Sequence, residues 1–299
     1  MELKFSEVKL SDKDIFNKYL AGRYHELITY NFSTFYLWRD WDPYAWGIVN
    51  DTLCVTSNYI GLDTVLVPIS PDDKNVISAT ETLIKWYQET GRDFIISEVS
   101  EGMLAFYEQH MPGCLTAEEY IPGGNYIYLT QDLCNLAGKK FDGKRNHIHH
   151  FVKHNPDYEL VDLGPELVPI CKEKLVRWTK EHHPDDPEVA QEILGVFDCL
   201  DHLSDLDCDA SCLLAEGQPV AFTMGEALNA DTYCVHIEKG DISVRGAYQA
   251  INYLHARKFC TQFKYINRAE DMENEGQRRA KMSYHPCRIA KKYYLRLAK

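Results

Sequence analysis

Apolar residues recur along the chain with two different periods, and their alternation predicts a protein of mixed helices and strands. Apolar positions that return every three or four residues predict helices at 11–21, 31–41, 73–90, 101–110, 138–154, 165–181, 187–201 and 245–259. Apolar or alternating runs predict a hairpin over 44–59 that turns at Asn50 and Asp51. Further strands are predicted at 64–69, 94–99, 125–130, 158–162, 210–215, 220–228, 231–238 and 264–266.

The order of these elements predicts two similar lobes. In the second half a strand and two helices precede a three-strand antiparallel meander, which is followed by a helix, a strand and a basic helix. This is the order of an acetyltransferase-type (GNAT-like) α/β fold, and the first half follows a looser version of it. A chain of 299 residues is about twice the usual single-domain length. We therefore predict tandem GNAT-like lobes at 1–135 and 136–299, each with a mixed, mainly antiparallel sheet flanked by helices, and the second carrying the active site.

The charge is strongly acidic overall but unevenly distributed. The formal net charge is −13, which argues against general affinity for nucleic acid. Residues 139–154 nevertheless carry five Lys or Arg against one Asp, and residues 272–299 carry eight against two Glu. Two basic segments on an acidic body predict local anion sites, and the alternative is that both are solvated helix faces.

The cysteines and histidines do not predict a metal site. The ten cysteines are scattered without a C-x-x-C pair, so we expect them to be reduced and mainly structural. His147, His150 and His154 share one helix face, but no carboxylate accompanies them at ligand spacing. No window approaches the roughly 20 apolar residues of a membrane span. The N-terminus also lacks the apolar core of a signal peptide, so we expect a cytoplasmic protein.

Two segments of the second lobe combine residues that suit group transfer. Glu238 ends a predicted strand, where it could bind an amine or act as a base. Arg245 and Gly246 open the next helix, whose N-terminus suits an anion, although a plain helix cap is the alternative. After an acidic turn at 265–271, Arg278 and Lys281 share one helix face and could hold a phosphorylated or carboxylated ligand. No nucleophile elbow, P-loop or H-E-x-x-H motif is present.

Six segments together resemble a known family. They are FDGKRNHIHHF (141–151), AFTMGE (221–226), HIEK (236–239), RGAYQAIN (245–252), YINRAED (265–271) and EGQRRAKMSYHP (275–286). In this combination they resemble the C-terminal domain of phosphatidylglycerol lysyltransferase. The resemblance implies a tandem acetyltransferase-type fold. In the lipid-modifying members, it implies transfer of an aminoacyl group from charged tRNA to a lipid hydroxyl.

The resemblance also implies roles for individual residues. Glu238 would hold the ammonium of the amino acid, and Lys281 would stabilise phosphate or the developing oxyanion together with Arg245 and Arg278. We take Glu238 and Lys281 as the catalytic candidates. The substrate-binding candidates are Arg245, Asn252, Asn267, Asp271, Arg278, Arg279, Lys144, Arg145 and Asn146.

Three functions remain open from the sequence. The first is an acyl-group transferase that uses aminoacyl-tRNA and an unidentified small-molecule, peptide or lipid acceptor. The second is an N-acyltransferase that uses acyl-CoA as its cofactor, with Glu238 as general base and the Arg245 helix end receiving the pyrophosphate. The third is a binding module without catalysis. The turn at Arg245 has one glycine, Gly246, where CoA-binding turns are glycine-rich, and this favours the first.

Overall fold

The computed structural model describes residues 3–59, 61–182 and 187–298. The helices are α1 Lys13–Leu20, α2 Phe32–Trp38, α3 Asp73–Glu89, α4 Glu101–His110, α5 Thr130–Asn135, α6 Asp142–His154, α7 Val168–His182, α8 Pro187–Asp201, α9 Leu203–Leu206, α10 Ala247–Phe259 and α11 Glu275–Met282. The strands are β1 Ser6–Glu7, β2 Ala45–Val49, β3 Thr52–Tyr59, β4 Leu62–Leu66, β5 Ile95–Val99, β6 Leu115–Glu119, β7 Asn125–Leu129, β8 Glu159–Asp162, β9 Asp209–Ala215, β10 Gln218–Ala227, β11 Thr232–Gly240, β12 Tyr265–Asn267, β13 Arg288–Ala290 and β14 Tyr293–Leu297.

The chain forms two compact units, and the first contains Met1–Asn125 and Ile289–Lys299. Its sheet has the order β1-β2-β3-β4-β5-β14-β6. Strands β2, β3 and β4 form an antiparallel meander, and β5 returns parallel to β4 after α3. The predicted hairpin is confirmed, since Asn50 and Asp51 both have the positive φ of a two-residue hairpin turn.

The second unit, Tyr126–Arg288, repeats this order of elements. Its sheet has the order β13-β7-β12-β11-β10-β9-β8. Strands β9, β10 and β11 form an antiparallel meander, α10 crosses over, and β12 runs parallel to β11. The predicted tandem of two mixed, mainly antiparallel sheets with flanking helices is confirmed.

The two compact units differ from the predicted lobes 1–135 and 136–299 at two places. Strand β7 lies before residue 135, yet it pairs with β12 in the sheet of the second unit. Strand β14 lies at the C-terminal end, yet it pairs with β5 and β6 of the first unit. An apolar run predicts a strand without saying which strand will be its neighbour, so these two exchanges were not foreseen.

The sheet of the second unit opens between β11 and β12. The two strands pair only from Thr232 to Cys234 on β11, which then continues to Gly240 without β12 beside it. Helix α10 begins close to this opening at Gly246, which has a φ of +93°. A Cβ at this position would lie 2.3 Å from the carbonyl oxygen of His147, so the backbone of α6 packs directly against the start of α10.

Two buried apolar clusters support this opening within the second unit. One contains Tyr128, Phe141 and Tyr233, and the other contains Phe151 and Ile251. Helix α6 contributes Phe151 to the second cluster, and Phe141, in the turn just before it, belongs to the first. The strands β7, β11 and β12 and the helices α6 and α10 are therefore fixed relative to one another.

Candidate functional site

A buried ion pair lies at the opening between β11 and β12. Glu238, on the part of β11 that β12 does not cover, accepts a hydrogen bond from Nη2 of Arg268 at 2.8 Å. Its other carboxylate oxygen accepts a hydrogen bond from Nδ2 of Asn252 on α10 at 2.9 Å. The side chains of Glu238 and Arg268 are only 13% and 11% exposed. One carboxylate therefore joins β11, α10 and the segment after β12.

Two tyrosines enclose the guanidinium of Arg268. Its central carbon lies 4.8 Å from the ring centre of Tyr284 and 5.7 Å from that of Tyr128. Burial opposes the charge of Arg268, but the interactions with Glu238, Tyr128 and Tyr284 together outweigh it and raise the pKa of the guanidinium. The site therefore keeps a fixed positive charge against aromatic faces.

Two buried polar atoms beside this ion pair have no hydrogen-bond partner within the part of the chain that the structure describes. They are Oδ1 of Asn252, an acceptor, and Nη1 of Arg268, a donor. Buried polar groups in proteins are nearly always paired, and an unpaired one costs about 1–3 kcal/mol. Because both atoms belong to residues that bind the same carboxylate, a ligand with one donor and one acceptor would satisfy both.

Lys281 extends the site from α11. Its ammonium donates to the carbonyl oxygens of Arg268 and Glu270, both at 2.5 Å. Burial, with a smaller contribution from the charge of Arg268, lowers its pKa to about 8. An ammonium has three protons, and in the described residues only these two hydrogen bonds use them. One proton of Lys281 therefore remains for a ligand.

Lys144 brings the two basic segments together. It lies on α6, and its Nζ is 2.6 Å from Oγ of Ser283 and 3.9 Å from the ring centre of Tyr284. Burial first, and then the charge of Arg268, lower its pKa to about 8. His285 Nε2 also lies 3.1 Å from the carbonyl oxygen of Lys140. The first basic segment and the α11 part of the second are thus neighbours within this unit.

Asp271 and Asn267 hold the segment that carries Arg268. Asp271 is buried and accepts hydrogen bonds from Nε of Arg278 and from the hydroxyl of Tyr126, both at 2.7 Å. Burial opposes ionisation of Asp271, but these two hydrogen bonds, the charge of Arg278 and the backbone N–H of Glu273 together outweigh it and lower its pKa. Oδ1 of Asn267 accepts from the backbone of Ala269 at 2.9 Å. Their direct contact with a ligand stays a prediction.

The remaining predicted residues lie at the edge of the cluster or outside it. Arg145 donates to the carbonyl oxygens of Leu136 and Gly138, so its guanidinium secures the start of α6. Arg245, Arg279 and Asn146 are exposed. Their side chains make no hydrogen bond among the described residues, so they are available to a ligand that binds at the surface.

Sequence reasoning missed Arg268, Tyr128 and Tyr284 as parts of the site. Arg268 was within the matching segment 265–271, and a cation directly after a strand could have drawn attention to it. The two tyrosines lie in apolar surroundings and could not be distinguished from ordinary core aromatics.

The lowered pKa of Lys281 predicts a dependence of stability on pH. Because its folded pKa of about 8 lies below the ordinary 10.5, the unfolded chain holds more protons between these values. The contribution of Lys281 to the free energy of unfolding should therefore rise as the pH increases through this window. Buried thiols such as Cys54 and Cys260 have raised pKa values and act in the opposite direction. We therefore expect the free energy of unfolding of the wild type, relative to that of Lys281→Met, to be larger at about pH 10 than at about pH 7. Urea unfolding at about pH 7 and about pH 10 measures it, and equal pH dependence in both proteins would contradict the prediction.

The comparisons with known proteins agree with the resemblance found in the sequence. The family described as phosphatidylglycerol lysyltransferase, C-terminal, matches residues 23–296. The chain belongs to this family. A protein of Mycoplasmoides gallisepticum described as uncharacterized is 27% identical over 176 residues, which is 58% of this chain and 56% of that protein. The match thus spans about half the length of that curated relative.

Several solved structures are similar to this chain over nearly its whole length. A conserved protein of unknown function from Bacteroides thetaiotaomicron is 31% identical, with a TM-score of 0.92 over 99% of this chain and 100% of that chain. L-PGS from Bacillus licheniformis is 13% identical, with a TM-score of 0.66 over 97% and 92%. A GNAT-family acetyltransferase from Colwellia psychrerythraea is 10% identical, with a TM-score of 0.51 over 100% of both chains. The last two show the fold alone and confirm the GNAT-like class.

In the residues that the structure describes, no helix has both the length and the apolar character needed to cross a bilayer.

Proposed function

We propose that this protein is an acyl-group transferase that takes its aminoacyl group from charged tRNA. In such a reaction the ester bond between the amino acid and the tRNA breaks, an acceptor nucleophile bonds to the carbonyl carbon, and the tRNA hydroxyl takes a proton. The ester is already activated, so positioning and stabilisation of the oxyanion can suffice. The arrangement around Glu238 is the observation that carries the proposal.

The polar groups around Glu238 match an aminoacyl group. The α-ammonium is a multiple donor, and Glu238 and the unpaired Oδ1 of Asn252 are acceptors close to one another. The ester carbonyl is an acceptor, and the unpaired Nη1 of Arg268 is a donor. An acyl group without an amine would leave the Asn252 oxygen unsatisfied, which favours an amino acid as the group carried.

Lys281 is suited to stabilise the developing oxyanion. Its two hydrogen bonds to backbone carbonyls hold the ammonium in place, so little reorganisation is needed during the reaction. The positive charge of Arg268 lies next to it. The candidate acceptor is a small molecule, a peptide or a lipid.

A basic surface beside the site suits the tRNA. Lys139, Lys153 and Arg279 are exposed on the adjoining basic segments, and Arg245 is exposed at the start of α10. Phosphate contacts by exposed cations supply much of the affinity for nucleic acid even when a protein is acidic overall. These four residues form a local basic surface, which can bind RNA although the chain as a whole has a formal net charge of −13.

The opening between β11 and β12 also favours a second candidate, an acyl-CoA-dependent N-acyltransferase. The GNAT-like fold supports this candidate, and Glu238 would then act as the general base. Against it stands the start of α10, where a pyrophosphate would bind. That turn has one glycine, Gly246, which the close approach to the carbonyl oxygen of His147 requires, whereas CoA-binding turns are glycine-rich.

Binding of charged and deacylated tRNA across a salt series tests the proposal. The purified chain is expected to bind bulk aminoacyl-tRNA about 10-fold or more tightly than deacylated tRNA, because Glu238 receives a charge-assisted hydrogen bond from the ammonium. Glu238→Gln should abolish this preference while leaving the salt dependence unchanged. Arg279→Gln should weaken both RNAs alike and reduce the salt slope by about 1.

The control is Lys85→Gln, which removes an exposed cation of α3 and should change neither property. Equal affinity for the two RNAs would contradict recognition of the aminoacyl group. Thermal stabilisation by acyl-CoA without binding of tRNA would move the protein to the second candidate. Binding of a ligand without turnover of either donor would leave the third function, a module without catalysis.

A further inference from the structure

A second cluster of polar side chains lies on the sheet of the second unit, apart from the ion pair of Glu238 and Arg268. Nε2 of His236 lies 3.0 Å from Oε1 of Glu226 and 3.5 Å from Sγ of Cys234. Sγ of Cys208 lies 3.3 Å from the same oxygen of Glu226. The ligand atoms of Cys208, Glu226 and His236 are all within 4.8 Å of one another. The side chain of His236 is only 1% exposed.

The strand register brings these four residues together from distant positions in the chain. Glu226 on β10 lies directly opposite Cys234 on β11. Cys208 directly precedes β9, whose first residue, Asp209, pairs with Gly225 next to Glu226. The spacing in the sequence shows no metal-binding motif, and for that reason the sequence predicted no site here.

A β-bulge places His236 in the cluster. Met224 pairs with Ile237, but the next residue, Gly225, pairs with Val235, so His236 is the extra residue of β11. Bulges redirect a side chain, and this one brings the imidazole beside Glu226. A Cβ at Gly225 would lie 2.4 Å from the carbonyl oxygen of Cys234, so only glycine fits opposite the bulge.

The arrangement is not that of a catalytic thiol. A cysteine activated by histidine and a carboxylate needs the carboxylate on the ring nitrogen away from the sulfur. Here Glu226 and Cys234 both approach Nε2 of His236. Convergence of sulfur, oxygen and nitrogen on one point is instead what a metal ion requires.

We propose that Cys208, Glu226 and His236, whose ligand atoms already lie within 4.8 Å of one another, bind one zinc ion, and that Cys234, whose Sγ lies 3.5 Å from Nε2 of His236, turns in as the fourth ligand. Zinc bonds of about 2.3 Å to sulfur and about 2.0–2.1 Å to nitrogen or oxygen place tetrahedral ligand atoms about 3.3–3.8 Å apart, the longest distance being that between two sulfurs. The three distances above, 3.0 to 3.5 Å, lie close to this range. Two thiolates, an imidazole and a carboxylate form a donor set that suits zinc, and the two thiols would lose their protons on binding.

The proposed zinc is structural. Four protein ligands fill a tetrahedral site and leave no open position for water or substrate. The ion would join the start of β9 to β10 and β11 close to the point where β11 leaves β12. It would therefore stabilise the strand that carries Glu238 without contacting the reacting groups.

The experiment measures the metal content of the full chain, purified under reducing conditions without a chelator. Elemental analysis is expected to find about one zinc per chain, and replacement by cobalt should give thiolate-to-cobalt absorption and the bands of tetrahedral cobalt. Cys208→Ser and His236→Gln should each weaken zinc binding by more than the roughly 10-fold that loss of an outer-shell partner costs. A zinc chelator should lower the melting temperature, and added zinc should restore it.

The matched control is Cys287→Ser, which removes an exposed cysteine of the same unit and should leave the zinc content unchanged. The proposal is overturned if the wild-type chain, reduced and incubated with zinc, retains less than about 0.1 equivalents after desalting. It is also overturned if Cys208→Ser and His236→Gln both give the cobalt spectrum of the wild type. The cobalt spectrum of the wild type tests the site even if a variant fails to fold.

Discussion

Replacement of Arg268 by methionine is expected to lower the free energy of unfolding by about 3–5 kcal/mol. The change removes the only cation hydrogen-bonded to the carboxylate of Glu238 among the described residues. That carboxylate is 13% exposed, so it would remain in a poorly solvated place without its charge partner. The attraction between Glu238 and Arg268 is largely offset by the cost of removing both charges from water, so the pair itself contributes little net stability. The loss in the variant comes mainly from the carboxylate of Glu238, which remains buried without a counter-charge.

Urea unfolding of the single and double variants measures this effect. Arg268→Met combined with Glu238→Gln should recover much of the stability, since no uncompensated charge then remains. Lys291→Met is the control, because Lys291 and its partner Glu119 are 45% and 36% exposed and such exposed pairs contribute little to stability. A loss below about 1 kcal/mol in Arg268→Met would contradict the prediction.

Replacement of Lys281 by methionine is expected to slow aminoacyl transfer by about 10²–10³-fold. The variant loses the ammonium that we propose to face the developing oxyanion, while the ion pair of Arg268 and Glu238 remains. If the protonated ammonium is what acts, the wild-type rate should fall as the pH rises above about 8, the pKa of Lys281. Lys281→Arg should move this fall to higher pH, because a guanidinium stays charged throughout.

The assay follows protein-dependent release of labelled amino acids from charged tRNA, with water as a surrogate acceptor. Lys85→Met is the control, because it removes an exposed lysine of α3, which lies in the first unit and outside the candidate site. A folded Lys281→Met variant with the wild-type rate would contradict the assignment of this lysine. A wild-type rate that increases above pH 8 would mean that the neutral amine acts as a base instead.

Most helices and strands of this fold could be predicted from local patterns in the sequence. Helices α4 and α8 begin and end where the apolar periodicity and the residues at their ends predict, and the turn at Asn50 and Asp51 has the expected left-handed backbone. Strands β6 and β14 were missed. Strand β14 lies between β5 and β6, and β6 is the edge strand, in an order that no local pattern contains. Strand β6 is also largely exposed, so it carries no apolar signal.

The sequence predicted a set of site residues but not their arrangement. Glu238, Lys281 and Lys144 were among the predicted residues, and their role stays a prediction, whereas Arg268 was not predicted as the partner of Glu238. Arg145 was expected to bind a ligand, but its guanidinium is bound to carbonyl groups of its own segment. A basic side chain in a sequence shows its charge, but its partners depend on which backbone folds against it.

By itself, the sequence determined the class of fold, the tandem order of elements and the family, because periodicity and motif spacing are local properties of the chain. Only the tertiary structure decided the exchange of β7 and β14, the burial of Glu238 against Arg268 and the meeting of Cys208, Glu226, Cys234 and His236. Each of these joins residues far apart in sequence. Their proximity results from strand register, a bulge and the packing of α6 and α10, which are set by the free energy of the whole fold and not by any short segment.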